Sequence, residues 1–397
     1  MQNKSVKIIF LFLFLSVLSF FLSACVQPSP DTNSTTAVLE APVQTNEEDI
    51  SEMVATSVIA NIKIKDANRF IRGVHLSAWI SGSSKQSRAV IELLKKTELN
   101  AVVIDLKESD GQIFIDGVKP AMENGLFVNA IPNLKSLLTQ LKENDIYAIA
   151  RIVAFRDNLM PRKNAAFAIK TPSGSLWMDK GRLTWLDPYN KEAWDYVLQI
   201  AERAADMGFD EIQFDYIRFP TDGELSTARY SNKNHSNAAA STAIIGFLKE
   251  ANKRLRAKNV KISIDVFGLT TTSDDMGIGQ KITEMAQWVD YISPMVYPSH
   301  YAPGTYGVKE PNKSPYKIVY ESMKGAIKKI PPQKLRPWLQ DFTIFGYKYG
   351  KDQVKAQIQA SYDNDIGSWL LWNPRCIYTT TALEGPEAES VYSKTKK

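Results

Sequence analysis

The 397-residue chain is 44% hydrophobic and 10% aromatic, a composition that supplies a large packed core and excludes disorder over most of its length. Its formal net charge of +5 is weak and gives no electrostatic footprint for nucleic acid or for a polybasic membrane surface. Two cysteines cannot make a disulfide framework.

Lys4 and Lys7 precede an apolar run, Ile8–Leu22, with small residues after it, the pattern of a secretory signal peptide over 1–24. The run ends Leu22-Ser23-Ala24-Cys25 and resembles the lipobox of bacterial lipoproteins, where the cysteine becomes the lipidated first residue. A lipid on Cys25, for example palmitate, would anchor the protein outside the cytoplasm at a membrane. An ordinary signal with a chance cysteine is the plainer alternative. Removing the segment deletes two lysines and no acids, so the net charge falls from +5 to +3. Cys376 is then left without a partner and reads as a packed, unreactive thiol. Residues 25–68 are rich in Ser, Thr, Pro, Asn and Glu and read as a flexible tether, with room for a short helix over 50–60.

From 69 to 380 short apolar runs alternate with longer amphipathic ones. The pattern predicts strands over 71–76, 100–106, 146–153, 211–217, 260–267, 289–297, 335–340 and 366–372. It predicts helices over 84–97, 131–144, 190–207, 238–258, 278–288, 315–329 and 351–363, the third capped by Asn190 and ended by Gly208. Eight strands with helices between them imply a (β/α)8 TIM barrel; residues 381–397 form a tail. An open doubly wound sheet is the competing architecture, but no G-x-G-x-x-G follows the first strand. The largest excess over a minimal barrel is an enlarged loop after strand 3, residues 154–189. Loops of that kind lie on the face where barrel enzymes build their sites.

Three acids stand out. In strand 4 Asp215 interrupts the run Ile212, Phe214, Tyr216, Ile217, Phe219, and an unpaired carboxylate is costly to bury. Side-chain alternation sets Gln213, Asp215 and Ile217 on one face, with Phe214 and Tyr216 on the other. If the aromatics pack on helices, Asp215 points into the barrel near its upper end. Asp265 in strand 5 and Asp105 in strand 2 sit likewise, with Lys107 and Glu108 just beyond Asp105. Structural pairing is the bland alternative: Asp105 with Lys107 or Arg151, Asp265 capping a turn, Asp215 with Arg218. A carboxyl pair suits glycoside hydrolysis, one group protonating the leaving oxygen while the other attacks or activates water. Asp215 and Asp265 are the expected pair, with Asp105 in reserve, and Arg151 and Arg218 tuning them. Trp79, Trp177, Trp185, Trp338, Trp369 and Trp372 fall near strand ends or in upper loops. Core packing accounts for several; Trp177 and Trp185, in the long loop, are the better sugar platforms, and Trp372 and Gln340 could position the ring. His75, His235 and His300 form no zinc motif, and neither G-x-S-x-G nor a P-loop occurs. No metal or other cofactor is expected, although clustered carboxylates could hold Mg²⁺ or Ca²⁺.

The stretch "TWLDPYNKEAWDYVLQIAERAADMGFDEIQFDYIRFPTDG" (184–223) resembles the DUF4015 family of bacterial barrel proteins, a glycoside hydrolase family. The segments "GVHLSAW" (73–79), "NAVVIDLKESDG" (100–111), "SIDVFGLTT" (263–271), "DYISPMVYPSHY" (290–301) and "GSWLLWNP" (367–374) are similar to its other blocks. The resemblance implies a TIM barrel related to amylase-like and chitinase-like superfamilies, acting on a polysaccharide or oligosaccharide of the envelope or the surroundings. "SPMVYP" resembles the Met-x-Tyr of chitinase-like barrels, which implies Tyr297 in the sugar site. The chitinase-type D-x-x-D-x-D-x-E is absent, since residues 210–217 read D-E-I-Q-F-D-Y-I, and Gln213 stands where amylases carry Arg. Their mechanisms are therefore not carried over. A surface lipoprotein that binds glycan without cleaving it is the alternative from another class.

Overall fold

A computed structural model describes residues 69–386 apart from residue 274. Cys25, the signal segment, the tether up to residue 68 and the end of the tail lie outside the described residues.

The eight strands are β1 (Arg72–Leu76), β2 (Ala101–Lys107), β3 (Tyr147–Val153), β4 (Glu211–Asp215), β5 (Lys261–Phe267), β6 (Tyr291–Met295), β7 (Trp338–Gln340) and β8 (Trp369–Trp372). All neighbours pair in parallel, in sequence order, and β8 closes on β1. β2 and β3 are buried along their whole length. Their apolar runs, AVVIDLK and YAIARIV, are continuous rather than alternating because both faces of a parallel barrel strand are covered.

The crossover helices are α1 (Ser84–Lys96), α2 (Leu134–Glu143), α3 (Lys191–Met207), α4 (Asn237–Arg256), α5 (Ile282–Met285), α6 (Pro315–Ala326) and α7 (Lys351–Tyr362). α3 shows why these segments are helical. Ala193, Val197, Ala201 and Ala204 recur on one buried face. Asn190 Oδ1 accepts from the backbone of Glu192 and Ala193, and Gly208 ends the helix in the left-handed region at φ 101°. α5 is far shorter than the 278–288 pattern suggests, because Gly277 and Gly279, at φ 74° and 85°, turn the chain ahead of it.

β4 stops at Asp215, two residues before the end of the apolar run. Tyr216 takes φ 48°, a region that a bulky residue rarely occupies, and turns the chain out of the sheet. Strand alternation therefore holds through Asp215 and fails at Tyr216. Gln213 faces the barrel interior, where its amide donates to Ser293 Oγ of β6 at 3.3 Å. Phe214 points outward onto Phe247 of α4, ring centroids 5.2 Å apart.

The loop after β3 is ordered by short antiparallel bridges, Arg156 with Trp185 and Met178 with Thr184 among them. Trp177 and Trp185 are each 2% exposed and form its core. Trp177 Nε1 donates to the Glu224 carbonyl at 3.0 Å and Trp185 Nε1 to Asp179 at 3.1 Å. The two expected sugar platforms are thus interior packing of the loop.

Candidate active site

The three acids converge on one guanidinium. Arg151, in β3, donates from Nη1 to Asp105 Oδ1 at 2.6 Å and from Nη2 to Asp215 Oδ2 at 2.5 Å. Its Nε faces Asp265 Oδ2 at 3.8 Å, too far for a hydrogen bond. Register explains the convergence: Asp105 lies beside Arg151 across β2–β3, and Asp215 is one step further up β4, beside Val153. All four groups are buried. Burial alone would weaken the proton affinity of Arg151, but the charges of Asp105, Asp215 and Asp265 outweigh it and hold the side chain cationic.

Each acid meets different surroundings. Asp105 Oδ2 is 2.6 Å from Nε2 of His75, the fourth residue of β1. Burial pushes the Asp105 carboxyl upward, yet His75 and Arg151 outweigh it and keep its pKa below the usual value. Burial presses His75 down, but the Asp105 charge and hydrogen bond, helped by Cys376, raise it to about 9. His75 is therefore an imidazolium at neutral pH. Asp215 also accepts the backbone N–H of Tyr216 at 2.6 Å, so the strained turn fixes the carboxylate at the mouth. Asp265 accepts Trp338 Nε1 at 2.7 Å. Burial, then the charge of Asp215, pushes its pKa well above the usual carboxylate value.

Glu108 was noted in the sequence only as a neighbour of Asp105. It is half-buried past the end of β2, and its carboxyl makes no hydrogen bond to any described residue. Burial, and then the nearby charge of Asp105, raises it to about 7 against the pull of Arg151. Lys107 beside it is engaged elsewhere, 3.0 Å from Asp157 and 2.9 Å from the Val153 carbonyl.

Trp372 forms one wall. Its ring stacks on His75 at 3.9 Å and lies 5.1 Å from the Arg151 guanidinium, and its half-buried position leaves part of it open. Tyr297 is buried close enough for Asp265 and Asp215 to act on its phenol, whose pKa burial and those charges push well above normal. Gln340 is spent on structure: it accepts from Ser299 N at 3.1 Å and donates to the Phe342 carbonyl at 3.0 Å, tying the β6 and β7 loops together. Arg218 does not ion-pair with Asp215; it packs among the rings of Trp185, Tyr216 and Phe267. Trp79, in a short helix (Ala78–Gly82) after β1, and Phe345 and Ile377, after β7 and β8, stand out on the rim, 60%, 66% and 63% exposed. A groove on the flank, lined by Phe114, Phe127, Asn133 and Met207, holds none of these acids.

Over residues 73–378 the sequence matches the family described as "Putative glycosyl hydrolase domain". The chain belongs to this glycosyl hydrolase family. No curated protein matches it. Among solved structures, a hypothetical protein from Ruminiclostridium thermocellum ATCC 27405 is 34% identical, covering 49% of this hydrolase chain and 97% of its own, at a TM-score of 0.44. The glycoside hydrolase domain of PgaB (BpsB) from Bordetella bronchiseptica is 12% identical over 80% of this chain and 99% of its own, at a TM-score of 0.59. The GH36 alpha-galactosidase AgaB from Geobacillus stearothermophilus is 11% identical over 84% of this chain and 42% of its own, at 0.55. The last two share the hydrolase's barrel.

The hydrolase's mouth thus gathers Asp105, Arg151, Asp215, Asp265, Tyr297 and Trp372 from the expected set, with Arg218 next to them. It adds His75 and Glu108. His75 carried the same signal as Asp215, a polar residue inside an apolar strand, "GVHL", but it matched no zinc or triad motif.

Proposed function

We propose that the protein hydrolyses a glycosidic bond of an envelope or extracellular polysaccharide, with Glu108 as general acid and Asp215 as the carboxylate below the anomeric carbon. One contrast supports this division. Asp215 is tied to Arg151 and to the Tyr216 backbone, whereas Glu108 has no hydrogen-bond partner among the described residues and titrates at about 7. A general acid works best when its pKa is near the working pH and it can reach the leaving oxygen. Asp265 is only 1% exposed and already holds Trp338, so it tunes Asp215 rather than meeting substrate.

The Glu108 proton passes to the leaving oxygen as the C–O bond breaks. Asp215 meets the positive charge growing on the anomeric carbon, directly or through a water, and water ends as the new hydroxyl. Arg151 and His75 hold Asp105 and Asp215 in place, and Trp372 offers a ring face to the sugar.

Glu108→Gln tests the acid. Reducing ends released from purified envelope polysaccharides should fall by about 10²–10⁴-fold. Aryl glycosides with a good leaving group should be hydrolysed almost normally, since they need little protonation. The parent should lose activity as pH rises past about 7, where Glu108 gives up its proton. Equal losses on both substrates would remove Glu108 from this role. Retention on one glycan with no release by the parent would favour the non-catalytic binding module.

The basic-then-apolar start and Cys25 support an anchor on the outer side of a membrane. Labelled palmitate should enter the full chain in cells and be lost in Cys25→Ser; unchanged labelling refutes the anchor.

A further inference from the structure

Arg218 sits three residues beyond Asp215, and its side chain is enclosed on several sides by rings. The guanidinium carbon lies 5.1 Å from the centre of Trp185, 4.8 Å from Tyr216 and 4.5 Å from Phe267. Nη1 donates to the Phe219 carbonyl at 2.9 Å and to Thr221 Oγ1 at 3.4 Å. Nε and Nη2 donate to no described residue, and no carboxylate oxygen among the described residues lies within 4.0 Å of the group.

Every other cation around the mouth is matched. Arg151 holds Asp105 and Asp215; Lys107 holds Asp157; Arg156 holds Asp179 at 2.8 Å; His75 holds Asp105. Arg218 is 5% exposed and has only the distant fields of Asp215 and Asp222 to set against its burial. Burial outweighs them and the group holds its proton less tightly than a free arginine, yet it stays charged at any working pH. Its Nε and Nη2 are not among the fully buried unpaired atoms, so this edge reaches solvent, and a ligand there would supply the charge that the protein does not.

The free edge identifies that ligand. Nε–H and Nη2–H form the fork of a guanidinium that matches two oxygens of a carboxylate. The aromatic rings pack around the planar group and Nη1 is occupied, which leaves this edge for a ligand. We propose that Arg218 forms a subsite for the carboxylate of an acidic sugar, so that the substrate is a uronate-type glycan rather than a neutral one. This deepens the glycosidase reading and rests on it for the position of the sugar chain.

The test is retention of the full chain on an immobilised sulfated galactan and on immobilised alginate, pectate and hyaluronan, each of the last three beside a twin whose carboxyls are reduced to alcohols. Asp215→Asn is carried alongside, so that binding is read without cleavage. The parent and Asp215→Asn should prefer a carboxylated glycan over its twin by about tenfold or more, the size of a charged hydrogen-bond pair. Arg218→Met should erase the preference. Arg218→Lys, which keeps the charge and loses the fork, should keep only part of it, and its melting curve checks the fold independently. No preference for any carboxylated member, or a preference that survives in Arg218→Met, overturns the subsite. Preference for a sulfated galactan alone overturns the carboxylate assignment. If retention follows Arg218 and the parent releases no reducing ends, the subsite stands and the glycosidase reading falls.

Discussion

His75 should make the stability of this barrel fall between pH 6.5 and 9. The imidazole rises from its ordinary 6.5 to about 9 because Asp105, 2.6 Å away, outweighs the penalty of burial. At about 1.4 kcal/mol per tenfold change in proton affinity, that rise corresponds to about 3 kcal/mol of folding free energy. The sign follows from the direction. A group whose pKa is raised by folding stabilises fully below its unfolded pKa. That stabilisation drains away as pH climbs through the folded value. The perturbation is His75→Gln, which can still hydrogen-bond Asp105 but cannot be charged. Urea unfolding at half-unit steps from pH 6 to 9.5 reads the difference. The variant should be about 3 kcal/mol weaker at pH 6, and the gap should close toward pH 9.5. Asp265 also rises on folding but remains in the variant and cancels in the comparison, whereas Glu108 loses the small downward pull of His75 and adds only a minor difference. A gap that stays constant over this range would refute the imidazolium–carboxylate pair.

The tryptophans should separate by role. Trp177→Ala removes a fully buried ring from the loop after β3 and should cost about 3–5 kcal/mol in the same urea assay; a change below about 1 kcal/mol would show that the loop repacks without it. Trp79→Ala strips a 60% exposed ring from the rim and should leave stability within about 0.5 kcal/mol while weakening retention on whichever glycan the parent binds. Unchanged retention would take Trp79 out of the sugar path.

The barrel was legible because its signal is periodic. Each strand run holds the observed strand with bounds that agree within three residues, and the closure follows from the β/α alternation. What periodicity could not show was where a strand stops being a strand. Residues 211–217 read as one apolar run, and nothing in the composition of Tyr216 announces φ 48°. Convergence was legible only in part. Asp105, Asp215 and Asp265 each stood out as acids at strand tops, but that one arginine serves all three depends on the stagger between β2, β3 and β4. The long loop misled for a physical reason. A loop of that length needs a core of its own, and the largest side chains in it, Trp177 and Trp185, are the ones that make it. Glu108 escaped notice because its mark is a missing partner, and a sequence does not record missing partners.

That last point separates the two ends of the barrel. Glu211 begins β4 at the lower end, as buried and as acidic as the residues at the mouth. Its Oε2 accepts Arg336 Nη1 and the Tyr147 hydroxyl, each at 3.1 Å, and its Oε1 takes Arg336 Nη2 and the Ser263 hydroxyl. Every acceptor position is filled, so the group ties β3, β4, β5 and the segment before β7 together and has no capacity left for a ligand. At the upper end the accounts stay open among the described residues: Glu108 lacks a donor, Arg151 Nε lacks an acceptor, and Arg218 donates only from Nη1. Burial and charge are the same at both ends. The two arginines are alike, since Arg336 Nε is as unpaired as Arg151 Nε, but the acids differ: the one without a side-chain hydrogen bond, Glu108, lies at the carboxyl ends of the strands, where a barrel presents its loops to substrate. Among the acids of this barrel, spare hydrogen-bonding capacity and not burial therefore separates the candidate catalytic group, Glu108, from the structural one, Glu211.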